Sequence, residues 1–173
     1  MANNIREDAG LAAQIVADAG GTVVGRTKLQ KLAFILKSFE LDNVFEFEYK
    51  HYGPYSDELS TAVKYAEVLG TLSEEVKTAN WGGRYSIFTT TPSDIDKTSV
   101  RAKILEIGNR ADPVDLELAA TAILLAQEGF DDPWSETASR KPEKAAGGRL
   151  DRARVLLDRF KELDTEKKLP ANC

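Results

Sequence analysis

At 173 residues, with 42% hydrophobic and 29% charged side chains, the chain can bury one core and keep a solvated surface. Its formal net charge of -5 argues against strong non-specific nucleic-acid binding, which depends on neutralising phosphates, but leaves room for a local basic patch. The single cysteine, Cys173, excludes an internal disulfide, and no apolar run approaches the roughly 18 residues of a membrane span.

Ile5, Leu11, Ala12, Ile15 and Val16 recur largely at helical spacing and predict a first helix over Asn4 to Ala19, ended by Gly20 and Gly21. Thr22 to Val24 is short and β-branched and reads as a strand. A second helix follows over Arg26 to Phe39. Leu29, Leu32, Leu36 and Phe39 share one face of it, with Ala33 beside them and Lys28 and Lys31 flanking. Arg26 and Lys37 lie on roughly the opposite side. Phe34 also turns away from the leucine stripe, so it packs on a second layer or meets a partner.

Val44 to Lys50 alternates strictly. Phe45, Phe47 and Tyr49 fall on one side, Glu46, Glu48 and Lys50 on the other, as in a half-buried strand. HYGPY, His51 to Tyr55, is then a turn. Gly53 permits backbone angles closed to other residues, and Pro54 suits a first helical position. Ser56, Asp57 and Glu58 add acceptors and negative charge at a helix start. The third helix is therefore expected over Pro54 to Leu69, with Leu59, Ala62, Val63 and Ala66 inward and Gly70 closing it.

Thr71 to Lys77 and Arg84 to Thr90 read as strands around the turn-rich connector Thr78 to Gly83, which carries Trp81. Helix, strand, glycine-rich loop and strand make a wing pattern. The expected fold is mainly α with a small β component. A winged-helix-like part spans residues 1–92, and a helical part, 93–173, packs on it in one compact domain. In that second part Thr98 to Ile107 is helical. Asp112 and Pro113 cap and start another helix, which runs to Gln127. The latter is apolar nearly all round and should be the most buried. Lys141 and Pro142 precede a short segment, Leu150 to Leu163 is the last helix, and Asp164 to Cys173 is expected to fray.

Chemistry-bearing residues are sparse. His51 is the sole histidine and would be the first acid–base candidate of an enzyme, yet no triad surrounds it. Its plainer role is to hold the HYGPY turn. One histidine and a terminal cysteine cannot build a zinc site, and Asp94, Asp96, Asp131 and Asp132 read as solvated loop acids. No phosphate-binding glycine loop is present, so no cofactor and no metal are expected. The third helix sets Asp57, Glu58 and Glu67 against Lys64 alone, a poor composition for reading base edges. Lys77 and Arg84 are the wing's cations. Trp81 could stack on a base, enter a protein groove or cover the wing's own base. On the last helix Arg149, Arg152, Arg154 and Arg159 alternate with Asp151 and Asp158, as on an ion-paired face.

The stretches GRTKLQKLAFIL, FEFEYKHYGPYSDEL and the GTL before the wing resemble the YwgA-like bacterial proteins. They are similar, more distantly, to the Panacea or SocA-like antitoxin domain, once called phage-associated proteins. The matching positions are Lys28, Leu29, Gln30, Lys31 and Leu32, then His51, Gly53, Pro54 and Tyr55. Tyr52, between His51 and Gly53, departs from the direct His-Gly-Pro of the Panacea-like chains and favours the YwgA-like side. The resemblance implies work through protein contacts, as antitoxin or proteolysis adaptor, in mobile-element and phage-defence settings.

Without any chemistry the motif still makes physical sense: leucines pack the helix, and His51, Tyr52 and Tyr55 lock a corner. The expectation is a cytoplasmic, non-enzymatic, winged-helix-type interaction or regulatory module. It meets a protein partner through Phe34, Trp81, Lys28 and Lys31, with no membrane. The alternatives are a DNA-binding regulator using the same lysines and the wing, and an enzyme built on His51. A homodimer through the last helix is compatible with all three.

Overall fold

Helices dominate the chain, and two small antiparallel sheets interrupt them. The computed structural model describes residues 2–173. In order, α1 (Ala2–Asp18) leads to β1 (Thr22–Val24), α2 (Arg26–Ser38), β2 (Glu48–Lys50), β3 (Gly53–Tyr55) and α3 (Asp57–Val68). Then come β4 (Ser73–Thr78), β5 (Arg84–Thr89), α4 (Val100–Arg110), α5 (Pro113–Gln127), α6 (Pro133–Arg140), α7 (Pro142–Ala145) and α8 (Arg149–Lys161). No helix among the described residues is long and apolar enough to cross a membrane.

Short polar side chains fix where several helices begin. Ser56 accepts from the Leu59 amide, Ser99 from Ala102, Asp112 from Val114 and Asp115, and Asp132 from Ser135. Each satisfies amides that lack an intrahelical acceptor. The apolar all-round α5 is buried from Asp115 to Leu125 and touches α2, α6, α8 and β3, as its composition predicts. The core runs without a break through residues of both halves of the chain. At Gly108 of α4 an added Cβ would lie 2.5 Å from the Leu32 side chain of α2, so glycine sets that close approach.

The larger sheet has the order β1-β5-β4, with Val24 opposite Ile87 and Val76 opposite Ser86. Val23 and Phe88 point into the core, where α1 and α2 cover them. The smaller sheet is the β2–β3 hairpin, in which Tyr49 faces Pro54.

Several expectations are corrected. The strand predicted over Val44 to Lys50 shrinks to Glu48–Lys50, because only Gly53–Tyr55 is free to pair before Ser56 caps α3. Phe45 still turns inward and Glu46 outward, so the alternation is real while the ladder is not. Pro54 does not open α3. It sits buried in β3, and α3 starts at Asp57. The segment 133–140, to which the sequence pattern assigned no element, forms α6 with Pro133 in its first turn and Trp134 buried. The tail does not fray: Thr165 and Leu169 are buried, and Asn172 donates to the carbonyls of Phe130 and Asp131.

Candidate functional site

Helix α2 holds the HYGPY corner through side-chain-to-backbone bonds. The Gln30 amide donates to the Ser56 carbonyl at 2.9 Å and accepts from the Ser56 amide at 2.8 Å. It thereby supplies Ser56 with both partners that a neighbouring strand would give. Gln30 also donates to Ser60, which is bonded to the Tyr55 hydroxyl. Next to it, Lys31 donates to the Pro54 carbonyl at 2.8 Å. One turn back, Lys28 donates to the carbonyls of Asn109 and Ala111 at the C-terminal end of α4. Leu29 and Leu32 fill the core beneath.

Gly53 has φ +82, and a Cβ there would meet the Thr121 hydroxyl at 2.4 Å. The hairpin thus lies directly on α5 at a distance only glycine allows. Beneath it Glu117 is buried with three lysines about it. Lys141 reaches its carboxylate at 2.7 Å and Lys144 at 2.8 Å, while Lys141 also donates to the His51 carbonyl. Lys31 is 1% exposed. Burial pushes its ammonium down to about 7, with Glu117 opposing and the charges of Lys141 and Lys144 assisting. Cations also seat on the hairpin's aromatics: Lys50 over Tyr55, Lys144 over Tyr52 and Arg140 over Tyr49. The His51 ring meets Tyr52 edge to face and is otherwise turned to solvent.

These positions sort the residues singled out by sequence. Lys28, Leu29, Gln30, Lys31, Leu32, Gly53, Pro54 and Tyr55 converge on one corner and bind it together. Phe34 is buried on a second layer, edge to face with Phe47 at 5.4 Å. Lys31 and Phe34 therefore present almost no surface to a partner, and Lys28 spends its charge on α4. Trp81 stands apart at the β4–β5 tip, 81% exposed. Its ring lies over Gly83, where a Cβ would come within 1.6 Å of it. No group of three or more His, Cys, Asp or Glu side chains comes together among the described residues to hold a metal ion.

Sequence reading missed Glu117, Lys141 and Lys144. The signal was the pair of acids Asp115 and Glu117 in a helix apolar nearly all round, since a buried acid demands a cation. On α8, Arg152 pairs with Asp115 and Arg154 lies over Trp134.

Fold and corner together define a mainly helical protein with small antiparallel sheets, in which a KLQKL helix clamps a β-hairpin against a buried α5. The chain belongs to the YwgA-like family, being 31% identical to the uncharacterized protein YwgA of Bacillus subtilis (strain 168) across 65% of this chain and 70% of that relative. No family model matches the chain.

Proposed function

We propose that this protein is a non-enzymatic interaction and regulatory module of winged-helix type, with the β4–β5 hairpin as wing. The observation that carries the reading is Trp81, a large indole 81% exposed at the hairpin tip. Apolar area left in water costs roughly 25 cal/mol per Å2, which burial in a partner's groove recovers. The element order α1-β1-α2-α3-β4-β5, interrupted only by the β2–β3 hairpin, supports the winged-helix reading, as does the sheet order β1-β5-β4. At the place of a recognition helix, α3 exposes Asp57, Glu58 and Glu67 against Lys64, which favours protein over phosphate. The partner is a protein with an apolar slot for the indole. A toxin–antitoxin or phage-defence setting rests on the Panacea-like resemblance alone.

The DNA-binding alternative keeps Lys64, Lys77 and Arg84 as exposed cations, since Lys28 and Lys31 are engaged inside the fold. Affinity capture with the wild type and Trp81→Ala, half of each lysate treated with nuclease, separates the two. A stoichiometric protein that survives nuclease and is lost with Trp81→Ala supports the interaction module. Retention by the variant sinks the role of the wing. Recovery of one DNA region, weakening steeply with salt, would select the DNA-binding reading.

A further inference from the structure

Strand β4 ends the larger sheet, and its outer edge pairs with nothing among the described residues. It is six residues long, and five of them are exposed. The Ser86 carbonyl of β5 accepts from Gly25 on the β1 side. In an antiparallel strand the N–H and C=O of one residue point the same way, so Ser86 bonds away from β4. Its cross-strand partner Val76 therefore turns its own N–H and C=O to the open edge. By the same alternation Glu74 and Thr78 do so too.

We infer that β4 pairs antiparallel with β4 of a second copy of this chain, on a two-fold axis at Val76, to form a six-stranded sheet across the dimer. The sequence of the strand, SEEVKT, is self-complementary in this register. Val76 meets Val76 of the second copy as a hydrogen-bonded pair, and Glu74 meets Thr78 likewise, so the edge groups of all three residues are satisfied. Glu75 then stands opposite Lys77 of the second copy, twice by symmetry, at positions where cross-strand side chains approach most closely. Within one chain Glu75 and Lys77 are already neighbours on the outer face, 3.7 Å apart, so the dimer closes a ring of alternating charge. Val76, 47% exposed in one copy, is covered at the axis.

Charged residues on a sheet edge ordinarily repel foreign strands. Here the same charges select one partner and one register, as an isologous contact requires. The pairing ends at Thr78, which leaves both Trp81 side chains free at opposite hairpin tips. The dimer would therefore display the wing twice, whatever the wing binds.

Sedimentation velocity over a concentration series tests this, with Glu75→Lys, Lys77→Glu and the double swap beside the wild type. These side chains are exposed, and circular dichroism checks that each variant folds. The wild type should be a dimer. Each single reversal sets like charges opposite one another twice and should raise the dissociation constant at least about tenfold. The double swap should restore the dimer. Amide exchange should slow at Glu74, Val76 and Thr78 in the dimer alone. A wild type that stays monomeric overturns the inference, as does a dimer indifferent to both reversals, which would place the interface elsewhere. Neither result bears on the Trp81 capture, which reads a different surface.

Discussion

A single amide side chain, Gln30, does for Ser56 what a strand neighbour would do. Its carbonyl and its NH2 are both required, because one faces an amide and the other a carbonyl. Gln30→Glu keeps the shape and sets a carboxylate against the Ser56 carbonyl. Urea unfolding should show a loss of roughly 1–3 kcal/mol, the cost of a buried polar group left without its partner. Lys31 beside it makes a pH-dependent contribution. Its folded value, about 7, lies below the ordinary 10.5. Between those values the unfolded chain holds a proton that the folded chain has released, so stability rises with pH across that window and levels above it. The slope approaches ~1.4 kcal/mol per pH unit for one proton. Lys31→Met should flatten it, which urea titrations at several pH values would read against the wild type. Neither role was legible beforehand. Spacing placed Lys31 beside the leucine face and gave Gln30 no inward role, and their acceptors on Ser56 and Pro54 lie 26 and 23 residues on. No local pattern encodes that meeting.

Among elements, those set by local rules read well from sequence. The capped α5 and the strands β4 and β5 lie close to where periodicity and turn chemistry put them. The β2–β3 hairpin did not, because its extent depends on what lies under it. Gly53 and Pro54 look locally like a turn and a helix start, yet they lie in strand β3 against α5. Gly53→Ala tests that contact. The alanine would need both a left-handed backbone and space held by Thr121, at a combined cost of roughly 2–5 kcal/mol. Adding Thr121→Ala should recover only the steric part, and thermal melts of the single and double variants would separate the two. If Gly53→Ala is silent, the hairpin does not rest on α5 as described. The tail misled for the opposite reason: its polar composition hid the burial of Thr165 and Leu169.

At the scale of the molecule, Arg101 joins parts of the chain far apart in sequence. From α4 it bonds Asp18 at the end of α1 and Asp42 in the connector after α2, each at 2.8 Å. Ser93 and Gln14 also donate to Asp18. Burial acts to raise the Asp18 carboxyl, but the bonds from Ser93, Arg101 and Gln14 together hold it below 3.8. A carboxylate lowered on folding contributes stability that is fully present above its unfolded value of 3.8 and is lost as pH falls through the folded value. Arg101→Met keeps the packed stem and removes the charge, leaving both acids without their common cation. The expected loss at neutral pH is roughly 1–3 kcal/mol, the range for charged hydrogen bonds, because both ion pairs are only part-buried. In the same variant the Asp18 carboxyl, followed by NMR, should titrate closer to 3.8 while Ser93 and Gln14 remain bonded. Part of the variant's deficit must then disappear at low pH, where Asp18 is protonated in both proteins. A deficit that stays constant from neutral pH to acid would mean that Arg101 acts through packing alone. In that case the joint between α1, the α2 connector and α4 would be held by the core beneath it rather than by charge.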